Sequence, residues 1–600
     1  MNLSRPELKG TVGAVATTNW LASGTAMAIL ERGGNAFDAA VAAGFVLQVV
    51  EPHFNGPGGD MSIVVHQAGT AGAQAICGQG PMPMAATPAT FHELGLQHVP
   101  GSGLLPACVP GAMGAWLRML AQFGTMPLDE VLAPAIHYAA DGYPLFPEMA
   151  KAIRVMAPLF ITEWPTSAEV YLSNNSAPTA GSRFRNPLLA NTYRRILAES
   201  KAAAASRESQ IEAAHDAFYR GFVAEAIDAF VPHHEVLDAT GRRHRGLLTG
   251  QDLANWRPDV EPAIHQRYRG HDVFKPGPWS QGPVFAQQLA LLEGFDIGLM
   301  SLGGADHLHT VAECAKLAFA DREAWYGDPA YSDVPIGALL DPEYNRIRRA
   351  LIGEQASLEL RPGSPLDLTP YVPQRPRPKG PSPTDAEWLR QLDSGLPTIV
   401  NLTTTRNDTC CVTVADRRGN LVAAVPSGGW LKSSPAIPGL GFALGTRGQI
   451  MHLAEGHPNT LAPGKRPRTT LSPTVVLREG QPFLAFGTPG GDQQDQYTLE
   501  FFLSVADFGL NTQAAIEATT FVIRHFPSSF VPHESRPGVL VVERSCPPET
   551  VSELERRGHI VELAPELSLG NVCATGFDAA NQLVLAAASP RGCQPYAVCR

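Results

Sequence analysis

The segment NAFDAAVAAGFVLQVV at residues 35–50 constrains the fold more than any other part of the sequence. It follows Gly33 and Gly34, which end a helical pattern that begins near residue 20. Alanine and valine occupy nearly every side of this second helix, and a helix that is apolar all round is a buried one. The turn GPGGD at 56–60 then leads into the strand-like MSIVVH. Other elements of the chain must therefore cover this helix.

Beyond this helix, helical and strand-like patterns alternate to about residue 355, as in an α/β fold. Prolines then recur among polar residues at 361–383, a composition that cannot form a packed core, and we interpret this stretch as an exposed linker. The remainder is β-rich. It contains strand patterns in TCCVTVAD, LVAAVPS, TTLSPTVVL and PFLAFGTPGG, a helical stretch at about 495–526, and closing strands at 538–543, 558–563 and 583–588.

The overall composition favours a globular protein that acts on small molecules. Apolar residues make up 44% of the 600 residues, and the formal charge of −11 argues against a nucleic-acid-binding surface. No signal-peptide pattern and no membrane-spanning run is found, so we expect neither export by that route nor membrane insertion. Nine cysteines without zinc-ligand spacing indicate reduced thiols in a cytoplasmic protein.

Ser280 is one candidate nucleophile. It lies in GPWSQG, which resembles the GxSxG elbow of α/β-hydrolases, but Pro278 stands where the elbow needs its first glycine. The alternative is a loop serine near a ligand.

Phosphate-loop and metal sites are not supported. Gly464-Lys465 lacks the upstream glycine of a phosphate loop, and Arg466 replaces the magnesium-binding Ser or Thr. The pairs His307/His309 and His233/His234 lack companion ligands at useful spacing, so we predict no metal site.

The glycine-rich TPGGDQQD at 488–495 follows a strand. Its two consecutive glycines, Gly490 and Gly491, let backbone N–H groups converge on one point. The motif fits an anion or oxyanion nest and equally a turn.

Thr409 has no activating partner in its immediate sequence, and it becomes a good nucleophile only as an N-terminal residue. A free α-amine, with a pKa of about 7.7 to 8, accepts the hydroxyl proton near neutral pH. The hypothesis therefore depends on cleavage of the bond between Asp408 and Thr409. Cys410 and Cys411 occupy adjacent strand positions that point to opposite faces, and we interpret them as packing residues.

Across nearly its whole length the sequence resembles the γ-glutamyltransferases (γ-glutamyl transpeptidases) of the N-terminal-nucleophile hydrolases. The resemblance rests on motifs that occur in order along the chain. They are GNAFDAAVAAGF, VPGAMGAW, FGTMPLDEVLAPAIHYAADGY, YRG at 268–270, ADREAWYGDP, DTCCVTVADRRGN, PGKRPRTTLSPTVV and FGTPGGDQQD.

This resemblance implies a four-layer αββα sandwich, made as one precursor that cleaves itself. The implied fragments are 1–408, with 360–408 as linker and releasable tail, and 409–600. Together they form one structural unit, a heterodimer that can assemble further into a homo-oligomer. No metal or organic cofactor is implied.

The resemblance also assigns roles by position. Thr409 matches the nucleophile, Gly490 and Gly491 match the oxyanion-hole glycines, and Ser427 falls where the family has a threonine bonded to the nucleophile. Thr469 and Thr470 replace the paired serines of the family's SS-x-SPT pattern and are expected to bind substrate.

Two departures bear on the substrate. The family's carboxylate-binding arginine falls near Pro88, and no Lys or Arg occurs between Arg32 and Arg118. The region that matches the family's amine-binding acid and asparagine, 427–453, contains no Asp, Glu or Asn. Possible substitutes are Trp430, Lys432, Arg447 and the acids of GGDQQD, among them Asp492.

We therefore predict an autoprocessing threonine-nucleophile amidohydrolase or acyltransferase acting on a small-molecule amide. One hypothesis is γ-glutamyl transfer or glutathione hydrolysis. The second is an amidase or acylase for oxamate- or glutaryl-type amides. A third, of a different class, is a family-like binding scaffold that never matures.

Overall fold

A computed structural model of the chain describes residues 3–372, 409–591 and 595–600. Two seven-stranded antiparallel sheets form its centre. The strands are β1 Leu8–Gly10, β2 Gly13–Thr17, β3 Asp60–His66, β4 Gln74–Gly78, β5 Tyr143–Pro144, β6 Arg183–Phe184, β7 Val236–Leu237, β8 Arg243–His244, β9 Asp259–Pro262, β10 Ile264–Tyr268, β11 His271–Lys275, β12 Val412–Asp416, β13 Leu421–Ser427, β14 Thr474–Arg478, β15 Gln481–Gly487, β16 Phe521–Ile523, β17 Val539–Glu543, β18 Ile560–Ala564, β19 Cys573–Asp578, β20 Leu583–Ala588 and β21 Tyr596–Cys599.

Helices cover the outer faces of both sheets. They are α1 Trp20–Glu31, α2 Ala36–Val50, α3 Pro88–Glu93, α4 Ala112–Phe123, α5 Leu128–Asp141, α6 Pro147–Thr162, α7 Pro165–Tyr171, α8 Pro187–Ala203, α9 Arg207–Tyr219, α10 Phe222–Phe230, α11 Gly250–Ala254, α12 Gly282–Leu292, α13 Ala305–Trp325, α14 Ile336–Leu339, α15 Pro342–Arg349, α16 Gln494–Ala506, α17 Thr512–Glu517 and α18 Pro548–Arg556. Within the described ranges, no helix is long and apolar enough to cross a membrane.

The alternation of side chains along the strands divides the interior into three layers of contacts. On β12, Val412 and Val414 pack towards α1, α2 and α4, while Ala415 and the preceding Cys411 point into the space between the two sheets. On β15, Phe486 packs towards α12, α13 and α16. The order is therefore helix, sheet, sheet, helix, which confirms the predicted αββα sandwich.

The first sheet runs β21-β2-β12-β13-β3-β4-β9, and the second runs β1-β20-β19-β15-β14-β11-β10. In the first sheet, β12 and β13 pair with each other and are flanked by β2 and β3. Both sheets thus contain strands from both sides of residue 408.

The apolar helix is α2, and every one of its residues is buried. Asn35 and Asp38 form a capping box at its start, and Gly33 adopts a φ of 96°, which favours glycine. This confirms the helix break and the burial expected from the sequence.

Two expectations need correction. The helical stretch at 495–526 ends early: α16 stops at Ala506, α17 is short, and residues 521–523 form β16, because their backbone pairs with β17. In the expected linker, Gly363 and Pro365 are buried. Gly363 N–H donates to Asp321, and its carbonyl accepts from the indole of Trp325. Residues 366–369 are exposed, and 373–383 lie outside the described residues.

Candidate active site

Thr409 lies three residues before the start of β12 and forms an isolated antiparallel bridge with Ser427, the last residue of β13. The two hydroxyl oxygens are 3.1 Å apart, and Thr409 is only 1% exposed. Cys410 N–H donates to the carbonyl of Pro426 at 2.9 Å, which fixes the register. The two predicted hydroxyls therefore meet, while Asp408 lies outside the described residues.

The two cysteines behind Thr409 point in opposite directions, as predicted. Cys410 faces the helical layer, and Cys411 faces the space between the sheets. Burial raises the pKa of both thiols, so neither is a thiolate at neutral pH.

A buried acid, Glu51, lies behind the start of β12. Its carboxylate accepts from the thiol of Cys410 at 2.9 Å and from the hydroxyl of Thr18 at 2.8 Å. Burial raises the pKa of Glu51 to about 7, although these hydrogen bonds oppose the rise. This residue ties the strand of the nucleophile to the end of α2. Sequence reasoning missed it, although it is the charged residue that directly follows an apolar helix.

The predicted oxyanion glycines lie on the loop after β15. Gly490 and Gly491 have φ values of 130° and 54°, a region that glycine tolerates. A Cβ atom at Gly487 would lie 3.0 Å from Cys411 Sγ, so the loop begins beside the strand that carries Thr409. The structure thus brings both predicted elements to neighbouring strand ends of the two facing sheets.

Asp492 is fully engaged by protein groups. Its carboxylate lies 2.5 Å from Arg322 Nη1 and accepts from the backbone N–H and hydroxyl of Ser529 at 2.8 and 2.6 Å. The same guanidinium donates to Gln281, whose amide nitrogen lies 3.4 Å from the carbonyl of Gly491. This geometry supports the loop, whereas the predicted role of Asp492 in binding substrate stays a prediction.

A second buried pair joins Arg447 to Asp60, the first residue of β3. Arg447 Nε and Nη2 donate to the two carboxylate oxygens at 2.9 and 3.1 Å. Asp60 pairs in register with Ser427, so this ion pair lies next to the nucleophile's partner. Asp60 was missed from the sequence. Its signal was the single acid in the GPGGD turn.

Two other predicted binding residues, Trp430 and Thr469, lie close to this pair. Trp430 lies 5.4 Å from the guanidinium carbon of Arg447, and its indole donates to the carbonyl of Phe54. Thr469 Oγ1 lies 3.4 Å from Asp60 Oδ2. Thr470 Oγ1 is buried and has no hydrogen-bond partner among the described residues, so its hydroxyl is available to a ligand.

Ser280 does not have the surroundings of a nucleophile within the described residues. It is fully buried, its hydroxyl accepts from the N–H of Gly282, and its backbone bridges Thr469. These contacts agree with the loop-serine interpretation.

His309 has companions that the sequence did not reveal. His559 and Glu313, both buried, bring ligand atoms within 4.8 Å of its ring. However, Glu313 already pairs with Lys316 at 2.6 Å and with Arg361 at 3.1 Å, and these cations oppose a metal ion. The cluster therefore serves as an internal polar network.

Comparison with known proteins agrees with this geometry. The family model described as Gamma-glutamyltranspeptidase matches residues 22–599. The Acylase ACY 1 proenzyme of Pseudomonas sp. (strain SE83) is 31% identical over 590 residues, which cover 95% of this chain and 90% of that protein. The Glutathione hydrolase-like YwrD proenzyme of Bacillus subtilis (strain 168) is 29% identical and covers 97% and 98%.

Solved structures show the same architecture. The structure of LmbA2991HD is 48% identical, with a TM-score of 0.93 and full coverage of both chains. The cephalosporin acylase from Bacillus halodurans is 29% identical, with a TM-score of 0.82 over 100% of this chain and 98% of that one.

Proposed function

The chain belongs to the gamma-glutamyltranspeptidase family of N-terminal-nucleophile hydrolases, and from this premise we propose that Thr409, freed by cleavage after Asp408, is its nucleophile. The proposal rests chiefly on the buried contact of 3.1 Å between the hydroxyls of Thr409 and Ser427. The enzyme acts on small amides, by hydrolysis or by acyl transfer.

The proposed reaction has two halves. Thr409 Oγ1 attacks the amide carbonyl carbon while the free α-amine of Thr409 takes the hydroxyl proton. The N–H groups of Gly490 and Gly491 hold the oxyanion. The amine then returns the proton to the leaving nitrogen, the C–N bond breaks, and an ester on Thr409 remains. Water or a second amine attacks the ester and restores the hydroxyl.

Fragments 1–408 and 409–600 are expected to stay together after cleavage. In the first sheet, β12 and β13 are flanked by β2 and β3 of the larger fragment. Separation would break main-chain hydrogen bonds along both flanking strands, so a heterodimer is the expected product.

The acyl pocket that we propose is built around Asp60 and Arg447. Arg447 uses Nε and Nη2 for Asp60, and no bond from Nη1 is found within the described residues, which leaves one edge of the guanidinium for a substrate oxygen. Trp430, Thr469 and Thr470 complete the pocket. Because Asp60 is neutralised by Arg447, we favour an acyl group without the full α-amino acid zwitterion, as in oxamate- or glutaryl-type amides; the γ-glutamyl group is the alternative.

Maturation is tested first, by denaturing gel and intact mass. The wild type should give two fragments that meet between 408 and 409, Thr409→Ala should remain one chain, and the control Ser280→Ala should cleave normally. An unbroken but active wild-type chain would refute the mechanism, and an unbroken inactive one would favour a binding scaffold.

The substrate is tested with matched amides. γ-Glutamyl and glutaryl 4-nitroanilides and an oxamate amide are compared by kcat/KM. Faster turnover of the glutaryl or oxamate compound supports the acylase hypothesis, and robust γ-glutamyl transfer would reject it.

A further inference from the structure

Glu51, fully buried at the end of α2, accepts hydrogen bonds only from neutral groups among the described residues. Besides the thiol of Cys410 and the hydroxyl of Thr18, the side-chain amide of Asn19 lies 3.4 Å from Oε1. A buried carboxylate without a cation is costly to ionise, and burial accordingly raises the pKa of Glu51 to about 7. These partners therefore satisfy the oxygens of the acid but do not balance its charge.

The titratable groups that the structure describes around Glu51 form no ion pair with it. Glu148 on α6 is a second acid, and its charge raises the pKa of Glu51. The phenol of Tyr143 stays protonated because burial raises its pKa. His53 is neutral, since burial and the nearby cation of Lys432 lower its pKa to about 3. In the uncleaved chain, the charge of Glu51 is thus left unbalanced within this part of the structure.

Self-cleavage would place a cation beside this acid. The new α-amine belongs to Thr409, the neighbour of Cys410, so bond lengths place its nitrogen within about 12 Å of the carboxylate. Main-chain hydrogen bonds hold this end of the chain: Cys410 N–H donates to Pro426, and Thr18 N–H donates to the carbonyl of Cys411 at 3.2 Å. These bonds keep the amine close to the acid.

We infer that Glu51 is a positioning residue of the nucleophile: through Cys410 it orients Thr409, and its carboxylate is the counter-ion of the freed α-amine. The two groups then titrate as a coupled pair, and the ionised acid makes the amine a stronger base for the hydroxyl proton. The inference rests on the proposed function, since it concerns the general base of that reaction.

The pH dependence of kcat/KM tests the charge of Glu51. Its acidic limb reports the ionisation of the base in the free enzyme. Glu51→Gln keeps an oxygen for Thr18 and Cys410 but removes the charge, so the limb should move to lower pH by about one unit. Glu500→Gln, the same change at a buried acid in the opposite helical layer, is the control and should leave the limb in place. A uniform loss of activity in Glu51→Gln with an unmoved limb would show a merely structural role and overturn the inference.

Variants of Cys410 test the positioning. Cys410→Ala breaks the link to Glu51 while the acid keeps its charge, so kcat should fall about tenfold with little movement of the limb. Cys410→Ser keeps a donor for the carboxylate and should restore most of the rate. Equal losses of kcat in the alanine and serine variants would reject the link.

Direct labelling of the amine separates this inference from the proposed function. Fluorodinitrobenzene reacts with the unprotonated amine and needs no turnover, and the mass of the small fragment counts labelling at Thr409 from pH 5 to 9. The labelling midpoint should lie about one pH unit lower in Glu51→Gln than in the wild type. Thr18→Val removes one hydrogen bond from the ionised acid, should shift the midpoint in the same direction by less, and replaces Glu51→Gln if that variant does not fold.

The outcomes are distinct. If the wild-type chain is never cleaved, there is no α-amine, and the proposed function and this inference both fail. If the wild type is cleaved and turns over an amide, but Glu51→Gln and Thr18→Val are labelled with the wild-type midpoint, only the inference fails.

Discussion

Two buried arginine–aspartate pairs flank the proposed site, and they differ in how completely the arginine is used. Arg322 donates to Asp492, Glu323, Gln281 and the carbonyl of Pro527. Arg447 donates only to Asp60 among the described residues. On the oxyanion side, the donors of the arginine are therefore all used to hold protein groups. On the acyl side, the arginine keeps donor capacity for a ligand.

The surroundings of the two arginines agree with this difference. Arg322 is fully enclosed, and the rings of Phe319 and Phe526 lie within 5 Å of its guanidinium carbon. The guanidinium carbon of Arg447 lies 5.4 Å from the ring centroid of Trp430 and 6.0 Å from that of Phe530. An arginine whose guanidinium donors are all bound to protein groups holds those groups in place, whereas an arginine with an unused guanidinium edge can bind a ligand.

Substitution of Arg322 by lysine should have the largest effect. Lysine keeps the charge but cannot reach Asp492, Gln281 and Pro527 together, so buried acceptors lose their donors. We expect the free energy of unfolding to fall by about 3–5 kcal/mol and kcat to fall about 100-fold as the loop moves. Urea unfolding and steady-state kinetics measure both. The exposed Arg346→Lys is the control, and a stable but inactive Arg322→Lys would contradict a supporting role.

Glu500 on α16 is a buried acid that, unlike Asp60 and Asp492, forms no ion pair with an arginine among the described residues. Neither carboxylate oxygen has a hydrogen-bond partner among the described residues, and burial raises the pKa of Glu500 to about 8. In the unfolded chain, the Glu500 carboxyl loses its proton as the pH rises above its ordinary pKa near 4.5. In the folded protein, it keeps this proton up to about pH 8. Stability therefore falls as pH rises through this window.

Glu500→Gln should remove this pH dependence. At pH 7 the unfolding free energy of the variant should exceed that of the wild type by about 3 kcal/mol, whereas at pH 4.5 the two should be nearly equal. Thermal or urea unfolding across pH 4.5–8.5 checks it. A constant difference between the two proteins across that range would contradict the raised pKa.

Substitution of Arg447 by lysine tests the proposal that the unused edge of its guanidinium binds substrate. Lysine preserves one charge for Asp60 but loses the planar fork. We expect kcat/KM for the preferred carboxylate-bearing acyl donor to fall about tenfold, mainly through KM, with a smaller loss of stability than in Arg322→Lys. If Arg322→Lys and Arg447→Lys lowered stability equally, the proposed difference between a supporting arginine and a ligand-binding arginine would be wrong.

Much of the fold was predictable from local sequence. The period-two alternation in TCCVTVAD and LVAAVPS defined the central hairpin, and the apolar pattern of α2 required cover on all sides. The meeting of Thr409 with Ser427, and the loop of Gly490 and Gly491, followed from the family motifs.

The ion pairs were not predictable. Asp60 and Arg447 are separated by 387 residues, and Arg322 and Asp492 by 170. No local periodicity specifies a partner at such separations, because it is set by how the layers stack. The same applies to His309 and His559, 250 residues apart.

Substitution of Trp430 by phenylalanine should have the smallest effect. The ring face above Arg447 remains, so we expect kcat/KM to change less than about threefold, as cation–π contacts persist. The hydrogen bond from the indole to the carbonyl of Phe54 is lost, which should cost about 1 kcal/mol of stability. Trp430→Leu removes the face as well and should raise KM further. If phenylalanine and leucine act alike on KM while unfolding is unchanged, Trp430 does not orient Arg447, and the acyl side would depend on Asp60 alone.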